Sequence, residues 1–292
     1  MLGAIIGDMV GSMYEFHPCK TKTFDIFNNR MRMTDDSYLT IAVAKTLLKH
    51  FPINYDEQSL KEIQDDLSKE FVEIWSKHKE AGFGGMFYEW CLTCRDTNSI
   101  APAYNSYGNG SAMRISPVGW IASNEEELKL LSKTVTEITH NHPEGIKGAE
   151  AIAMCIYLAL HGASKEQIKE RMVSDYYPEI LDLNFDELVK NYRFSETCQK
   201  SVPQAIYCFL ISNSLEDAIR NCVAIGGDCD TTGAMAGAIA EAYYQKEQLS
   251  KFEDKYLYLM IDPDVEKLIK EFHAIIGNKK FDKYWYLKIV SN

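Results

Sequence analysis

The fold of this chain is best predicted from the stretch Ile225-Gly226-Gly227-Asp228-Cys229-Asp230-Thr231-Thr232-Gly233. An amphipathic run from Leu215 to Ala224, with Ser214 as a suitable N-cap, precedes it, and a run of small residues from Gly233 to Ala242 follows it. This pattern predicts a helix, a tight glycine loop and a second helix, with both carboxylates near the positive end of the second helix. A single loop of this kind is more often an acidic helix cap than a site of chemistry, so its meaning depends on the rest of the chain.

A second acidic loop lies far upstream. Thr34-Asp35-Asp36-Ser37 precedes a helical run from Tyr38 to His50, with Thr34 as a suitable N-cap and two aspartates in the first turn. Taken alone, this motif is ordinary helix capping. Two acidic loops that each open a helix favour one shared metal site.

The first residues of the chain carry two patterns on one predicted helix. Glycine recurs at every fourth position from Gly3 to Gly11, which lets another backbone approach closely. Asp8, Ser12 and Glu15 form a separate polar row at spacings of four and three. Since nearly all their neighbours are apolar, we expect this acidic row to be buried and to need a partner cation.

The chemistry of the clustered side chains points to a hard metal ion. Carboxylates and hydroxyls, without thiolate or imidazole inside the motifs, select Mg²⁺, Mn²⁺ or Ca²⁺ over Zn²⁺. Four aspartates and one glutamate carry more charge than one divalent ion needs, so two neighbouring ions are predicted. Phosphoryl transfer and glycosidic cleavage beside a diphosphate both fit these ligands, and the residues alone do not choose between them.

A third motif is a candidate ligand-binding loop. Ser106-Tyr-Gly-Asn-Gly-Ser-Ala-Met-Arg114 has glycines at 108 and 110, which allow backbone N–H groups to come close to a ligand, as phosphate-binding loops require. On these residues alone a plain turn is about as good an interpretation. The pair His140 and His142 is more often structural than metal-binding, because an i, i+2 spacing does not share a helical face.

Composition excludes several classes of function. The chain has 292 residues and a formal net charge of −11, and it lacks a run of Lys and Arg long enough to bind nucleic acid in general. One modified nucleotide remains a possible ligand. The apolar N-terminal run is interrupted by Asp8 and has no basic start, which predicts neither a secretory signal nor a membrane span and makes the cytoplasm the default location. Eight cysteines in a chain of this length predict small core residues and not a disulfide framework.

Helical periodicity dominates from end to end, and strand-like alternation is nearly absent. Residues 56–78, 124–138 and 148–162 add further predicted helices, whereas Ala81 to Asp96 is interpreted as a flexible loop beside a binding cleft. The C-terminus from Lys251 is predicted to be helical, with a break at Asp262-Pro263. No repeat or linker divides the chain, so residues 1–292 are predicted to form one all-α domain.

The motifs together resemble the ADP-ribosylglycohydrolase family. The resemblance spans about residues 1 to 245 and is more specific than any one motif. It rests on Gly3-x3-Gly-Asp8 with Glu15, Thr34-Asp-Asp36, Gly108-Asn-Gly110 with Met113-Arg114, Thr139-His140 and Gly226-Gly-Asp-x-Asp-Thr231, in this order. It implies an all-α fold with two Mg²⁺ or Mn²⁺ ions at the base of an ADP-ribose cleft.

The resemblance also implies a role for individual residues. The implied metal ligands are Thr34, Asp35, Asp36, Asp228, Asp230 and Thr231. The implied catalytic groups are Glu15, Asp35 and Asp36, with Glu15 as the base or the group that orients water. The implied substrate-binding residues are Ser106, Tyr107, Gly108, Asn109, Gly110, Ser111 and His140.

Three functions are compatible with these residues. A metal-dependent hydrolase that releases ADP-ribose from a modified acceptor is favoured, because all the implied metal-binding positions are intact. The alternatives are a non-catalytic ADP-ribose-binding or crystallin-like structural protein with the same fold, and a Mg²⁺-dependent nucleotide phosphohydrolase. The sequence leaves open the acceptor, the choice between Mg²⁺ and Mn²⁺, and the oligomeric state, a monomer being compatible with it.

Overall fold

The structure is a computed structural model that describes residues 1–244 and 263–280. In these two ranges the chain forms thirteen α-helices, two short 3₁₀-helices at Asn109–Ser111 and Pro178–Asp182, and one isolated bridge between Gly108 and Thr197. The α-helices are α1 Leu2–Gly11, α2 Asp35–Lys49, α3 Glu57–Lys77, α4 Gly85–Thr97, α5 Ser116–Ile121, α6 Glu125–Thr136, α7 Pro143–Leu160, α8 Lys165–Asp175, α9 Phe185–Asn191, α10 Cys198–Leu210, α11 Leu215–Ile225, α12 Cys229–Tyr244 and α13 Pro263–Lys280. The predicted all-α class is confirmed, since the described part of the chain contains no β-strand. That residues 1–292 make a single domain stays a prediction.

Helices α1 and α12 pack against each other at the centre of the molecule. Every residue of α1 is buried, as are the first fourteen residues of α12. A Cβ atom on Gly7 would lie 2.0 Å from the carbonyl oxygen of Gly233, and one on Gly3 would lie 2.3 Å from that of Gly237. The predicted close approach at the glycine repeat is therefore confirmed, and α12 supplies the matching small residues.

Several predicted helix starts are confirmed by their caps. The Thr34 hydroxyl accepts from the backbone N–H of Asp36 at the start of α2, and Ser214 accepts from that of Asp217 at the start of α11. Asn124 caps α6 in the same way. These short-range bonds satisfy backbone donors that the first turn leaves free. All eight cysteines are free thiols and seven are buried, in agreement with their interpretation as core residues.

Two predictions about local structure are wrong. Helix α1 ends at Gly11, where the N–H of Ser12 bonds to the carbonyl oxygen of Asp8, so Glu15 lies beyond the helix. We call residues 12–34, which contain no helix, the Glu15 segment. The stretch from 81 to 96 is mostly helix α4 because Phe87, Trp90 and Cys94 fall on one apolar face that packs into the core.

Two further expectations concern a membrane span and the C-terminal helix. Within residues 1–244 and 263–280, no helix is both long enough and apolar enough to cross a membrane. The predicted helical stretch from Lys251 to the C-terminus falls partly on residues 251–262 and 281–292, which lie outside the described residues. Helix α13 begins at Pro263, where the sequence predicts a break.

Candidate active site

The glycine loop between α11 and α12 brings Asp228 and Asp230 to the start of α2. Gly226 and Gly227 have φ values of 70° and 77°, a region that side chains other than glycine rarely adopt. A Cβ atom on Gly227 would also lie 2.8 Å from the ring of Tyr192. The loop thus turns sharply through a narrow space, and only glycine fits there.

Asp8 of α1 holds the start of α2 in place. Its buried carboxylate accepts hydrogen bonds from the backbone N–H of Thr34 at 2.9 Å and from its hydroxyl at 2.7 Å. It also accepts from the backbone N–H of Ser37 at 3.1 Å and from the Ser37 hydroxyl. The expected burial of Asp8 is confirmed, and these four donors compensate its desolvation in the structure.

Five acidic residues form two clusters that share one member. Oxygens of Asp8, Asp36 and Asp230 lie within 4.8 Å of one another, and so do oxygens of Glu15, Asp228 and Asp230. Oδ1 of Asp36 is buried and has no hydrogen-bond partner among the described residues, whereas its Oδ2 accepts from Thr231 Oγ1 at 3.2 Å. An all-oxygen donor set with an unsatisfied buried carboxylate oxygen fits Mg²⁺ or Mn²⁺.

The raised pKa values of the carboxyl groups also favour a bound cation at this place. Burial, followed by the negative charge of Asp230, raises the pKa of Glu15 to about 8. The same two causes raise the pKa values of Asp35 and Asp36 well above their usual range. Burial raises the pKa of Asp228 to about 6, against the hydrogen bonds that it accepts. A bound cation would remove the cost of gathering these charges, because it favours the ionised form of each carboxylate.

These acidic residues form the floor of a cleft. It is lined at one end by Glu15, Asp35, Asp36, Asp228, Asp230 and Thr231, and along its length by Ser106, Gly108, Asn109, Gly110 and His140. The structure therefore brings together eleven of the residues implied by the family resemblance, drawn from five separate parts of the chain.

The candidate ligand-binding loop is attached directly to the acidic floor. The side-chain amide of Asn109 donates to Oδ2 of Asp228 at 2.7 Å, and its backbone N–H donates to the carbonyl oxygen of Glu196 at 2.7 Å. His140 lies beneath the loop, with its Nδ1 2.8 Å from Thr139 Oγ1. Burial, then the charge of Arg114, lowers the pKa of His140 well below its usual range, so the imidazole is neutral at pH 7.

Three implied residues lie outside the cleft lining. Thr34 is buried behind the floor, where its hydroxyl contacts Asp8 and, at 3.3 Å, Asp36. Ser111 is buried and donates to the carbonyl oxygen of Gly145 at 2.8 Å. Tyr107 is half exposed and its ring packs against His142, with 5.2 Å between centroids. Their roles in binding or catalysis stay predictions.

The cleft also contains residues that sequence reasoning did not select. They include Tyr104, Phe194 and Glu196, whereas Met86 and Phe87 also line the cleft but belong to the stretch 81–96, which was expected beside it. Phe194 packs against Phe16 at the rim, with 6.4 Å between ring centroids. No local pattern in the sequence marks Phe194 or Glu196 as residues of the cleft.

Arg114 is a fully buried cation in the wall of this cleft. Its Nη2 donates to Thr139 Oγ1 at 2.7 Å, and its guanidinium lies over the ring of Phe71 at 4.6 Å. Nε and Nη1 are buried without a partner among the described residues. Burial lowers the Arg114 pKa to about 10, which leaves the group charged at pH 7.

Comparison with known proteins gives relatives along nearly the whole chain. ADP-ribosylhydrolase ARH3 of Mus musculus is 27% identical, over 85% of this chain and 84% of the relative. ADP-ribosylarginine hydrolase Tri1 of Pseudomonas putida is 24% identical, over 84% of this chain and 69% of the relative. ADP-ribosyl-[dinitrogen reductase] glycohydrolase of Rhodospirillum rubrum is 21% identical, over 94% of this chain and 95% of the relative.

A solved structure shares the fold. A chain of an ADP-ribosylglycohydrolase-related protein complex superposes with a TM-score of 0.69 over 94% of both chains, at 22% identity. The family model for ADP-ribosylglycohydrolase matches residues 1–278, which include every helix that forms the cleft. The chain therefore belongs to the ADP-ribosylglycohydrolase family.

Proposed function

We propose that the protein is a metal-dependent hydrolase that cleaves the glycosidic bond between ADP-ribose and a modified acceptor. The observation that carries this proposal is the pair of carboxylate clusters joined through Asp230, which opens into a cleft beside the Gly108–Ser111 loop. The three relatives, an ADP-ribosylhydrolase, an ADP-ribosylarginine hydrolase and an ADP-ribosyl-[dinitrogen reductase] glycohydrolase, support the same reaction class.

Two Mg²⁺ or Mn²⁺ ions fit the two clusters. We assign Asp36, Asp228, Asp230 and Thr231 to the ions together with Asp35 and Thr34, because their oxygens gather at the floor of the cleft or directly behind it. Such ions supply Lewis acidity and a fixed orientation for oxygen groups. Asp8, which already accepts four hydrogen bonds, serves mainly to position α2.

Glu15 is the proposed general base. Its side chain is only half buried, so water can reach it, and it lies next to Asp228 and Asp230. With cations bound beside it, the Glu15 carboxylate is ionised, and in that form it can take a proton from water and return it to the leaving group. Cleavage at the anomeric carbon develops positive charge on the ribose, which the surrounding carboxylates stabilise.

The loop and its surroundings are proposed to hold the ADP-ribose moiety. Gly108 and Gly110 let the diphosphate approach the backbone, while Asn109 keeps the loop in contact with Asp228. The neutral His140 beneath the loop offers Nε2 as a hydrogen-bonding group. This arrangement fixes the position of the ribose relative to Glu15, which is the condition for rapid attack.

Product analysis tests the proposal. The protein is incubated with Mg²⁺ and a panel of ADP-ribosyl-arginine, ADP-ribosyl-serine and ADP-ribosylated nucleic acid, and the products are identified by mass spectrometry. We expect free ADP-ribose with an intact diphosphate and no release in the presence of a chelator. AMP with ribose phosphate would support a phosphohydrolase instead, and tight ADP-ribose binding without any product would support a non-catalytic binding protein.

A further inference from the structure

Lys20 connects three distant parts of the chain behind the acidic floor. Its Nζ donates to the carbonyl oxygen of Ile225, the last residue of α11, and to that of Tyr192 at 3.1 Å. Ile225 directly precedes the Gly226-Gly227-Asp228 loop. Lys20 itself lies in the Glu15 segment, five residues after Glu15. One ammonium group therefore links the segment that carries Glu15 to the loop that carries Asp228.

The partners of Lys20 are neutral carbonyl groups. Arg193, which is also cationic, is a charged residue that acts on it. A cation is stabilised at this position because the last carbonyls of a helix are unpaired and carry partial negative charge. Lys20 thus holds the C-terminal end of α11 and does not form a surface ion pair through these contacts.

The contact is close and the backbone around it is constrained. A Cβ atom on Gly226 would lie 3.1 Å from Lys20 Nζ, so the ammonium rests directly against the glycine loop. Lys20 has a φ of 54°, a left-handed conformation that is uncommon for residues other than glycine. Strain of this kind persists only where the surroundings hold it, here through the two hydrogen bonds of the side chain.

A second anchor shows where the Glu15 segment is held. Arg220 of α11 donates to the carbonyl oxygens of Lys22 and Phe24 at 2.9 and 2.8 Å. Both contacts lie farther along the segment than Lys20. The stretch from Ser12 to Lys20 is therefore bounded by the end of α1 on one side and by Lys20 on the other.

We propose that Lys20 is a positioning residue that keeps Glu15 and Asp228 at a fixed separation. It does so by tying the Glu15 segment to the end of α11, three residues before Asp228. The proposal rests on the proposed function, because it assumes that Glu15 and Asp228 belong to one metal centre. Outer-shell groups that orient metal ligands commonly change metal affinity or activity about 10- to 100-fold when they are removed.

The test compares Lys20→Met with Lys20→Arg and with Lys22→Met as a matched control. Lys22 is in the same segment but pairs with Asp217 at the surface and does not contact the glycine loop. Mn²⁺ affinity is measured by calorimetry, and turnover and KM are measured with the best substrate of the panel. Lys20→Met is expected to lower Mn²⁺ affinity and turnover about tenfold each, with a smaller change in KM. Lys20→Arg, which keeps the charge and the donors, should recover most of both, and Lys22→Met should match the wild type.

The outcomes separate the possible failures. Wild-type Mn²⁺ affinity and turnover in Lys20→Met would overturn the proposal, and so would equal losses in Lys22→Met. If Lys20→Met does not fold, Lys20→Gln takes its place in the same comparison with the same expected losses. A wild-type protein that binds no Mn²⁺ and releases no ADP-ribose would instead contradict the proposed function, and it would then also overturn the proposed role of Lys20.

Discussion

The side-chain amide of Asn109 donates a 2.7 Å hydrogen bond to Oδ2 of Asp228, although the two residues are 119 positions apart. This bond joins the ligand-binding loop to the carboxylate clusters. Both groups are buried, so the bond is shielded from competition by water. A ligand on the loop and an ion on Asp228 would therefore each influence the position of the other.

Replacing Asn109 by Asp tests this connection. The variant removes the donor and places a second carboxylate against Asp228, so repulsion should lower Mn²⁺ affinity and turnover about tenfold or more. Asn191→Asp is the control, because the amide of Asn191 also donates to a carboxylate, that of Glu187, but at the exposed surface of α9. Calorimetric titration with Mn²⁺ measures the effect. Equal affinity in the two variants would show that the bond has no role in metal binding.

Glu15→Gln should separate chemistry from binding. The amide keeps the size of the side chain but cannot accept a proton, so turnover should fall about a hundredfold or more. ADP-ribose affinity should remain close to that of the wild type, because the proposed role of Glu15 is exerted in the transition state. Single-turnover kinetics and calorimetry measure the two quantities. Parallel loss of binding would instead assign Glu15 to ligand binding or to structure.

Asp230→Asn should affect the whole metal centre, since Asp230 belongs to both carboxylate clusters. A ligand that binds only the folded state raises stability by about 2.7 kcal/mol at a concentration of 100 Kd. The wild-type melting temperature should therefore rise with Mg²⁺ or Mn²⁺, and the rise should largely disappear in Asp230→Asn. Asp65→Asn, which changes an exposed aspartate of α3, should retain it. A full metal-dependent rise in Asp230→Asn would place the ions elsewhere.

Stability of the metal-free protein should fall as the pH rises from about 6.5 to about 8. Burial first, then neighbouring negative charge, raises the pKa of Glu15 to about 8 and raises those of Asp35 and Asp230 well above their usual range. Groups with a raised pKa in the folded state bind more protons there than in the unfolded chain. Their stabilising contribution is complete below their ordinary pKa values and is lost as the pH rises through the folded ones.

Two conditions make the pH experiment specific. Burial lowers the pKa values of His140 and His273, so these residues make the protein less stable as the pH falls. This effect is opposite to that of the carboxyl groups, and starting at about pH 6.5 limits it. Melting temperatures are recorded with EDTA and with Mn²⁺. The decline should be present with EDTA and weak with Mn²⁺, which compensates the ionised carboxylates. A flat profile with EDTA would mean that the carboxylates are ionised without a cation.

Gly7→Ala should destabilise the protein strongly. The new Cβ atom would lie 2.0 Å from a backbone carbonyl oxygen of α12, so two central helices would have to separate. We expect a loss of about 3 kcal/mol or more in the free energy of unfolding. In Gly85→Ala the Cβ atom meets nothing within 4 Å, and helix propensity should leave stability unchanged or raise it by up to about 1 kcal/mol. Urea unfolding measures both, and similar values for the two variants would contradict the packing argument.

The sequence by itself determined the features that depend on near neighbours along the chain. Thr34 and Ser214 cap their helices as predicted, because a cap is a bond between residues two or three positions apart. The repeat from Gly3 to Gly11 predicted a close helix contact for the same reason, since its period places the glycines on one face. The two acidic loops were likewise visible as local motifs.

Only the tertiary structure decided how these local elements meet. The sharing of Asp230 between two clusters, the bond from Asn109 to Asp228 and the entry of Phe194 into the cleft all depend on distances between segments far apart in sequence. The end of α1 before Glu15 and the helix at 85–97 also escaped local reasoning. The helical spacing of Phe87, Trp90 and Cys94 could have predicted the second of these from the sequence. The end of α1 has no such local signal, because contacts between segments far apart in sequence are not contained in a one-dimensional pattern.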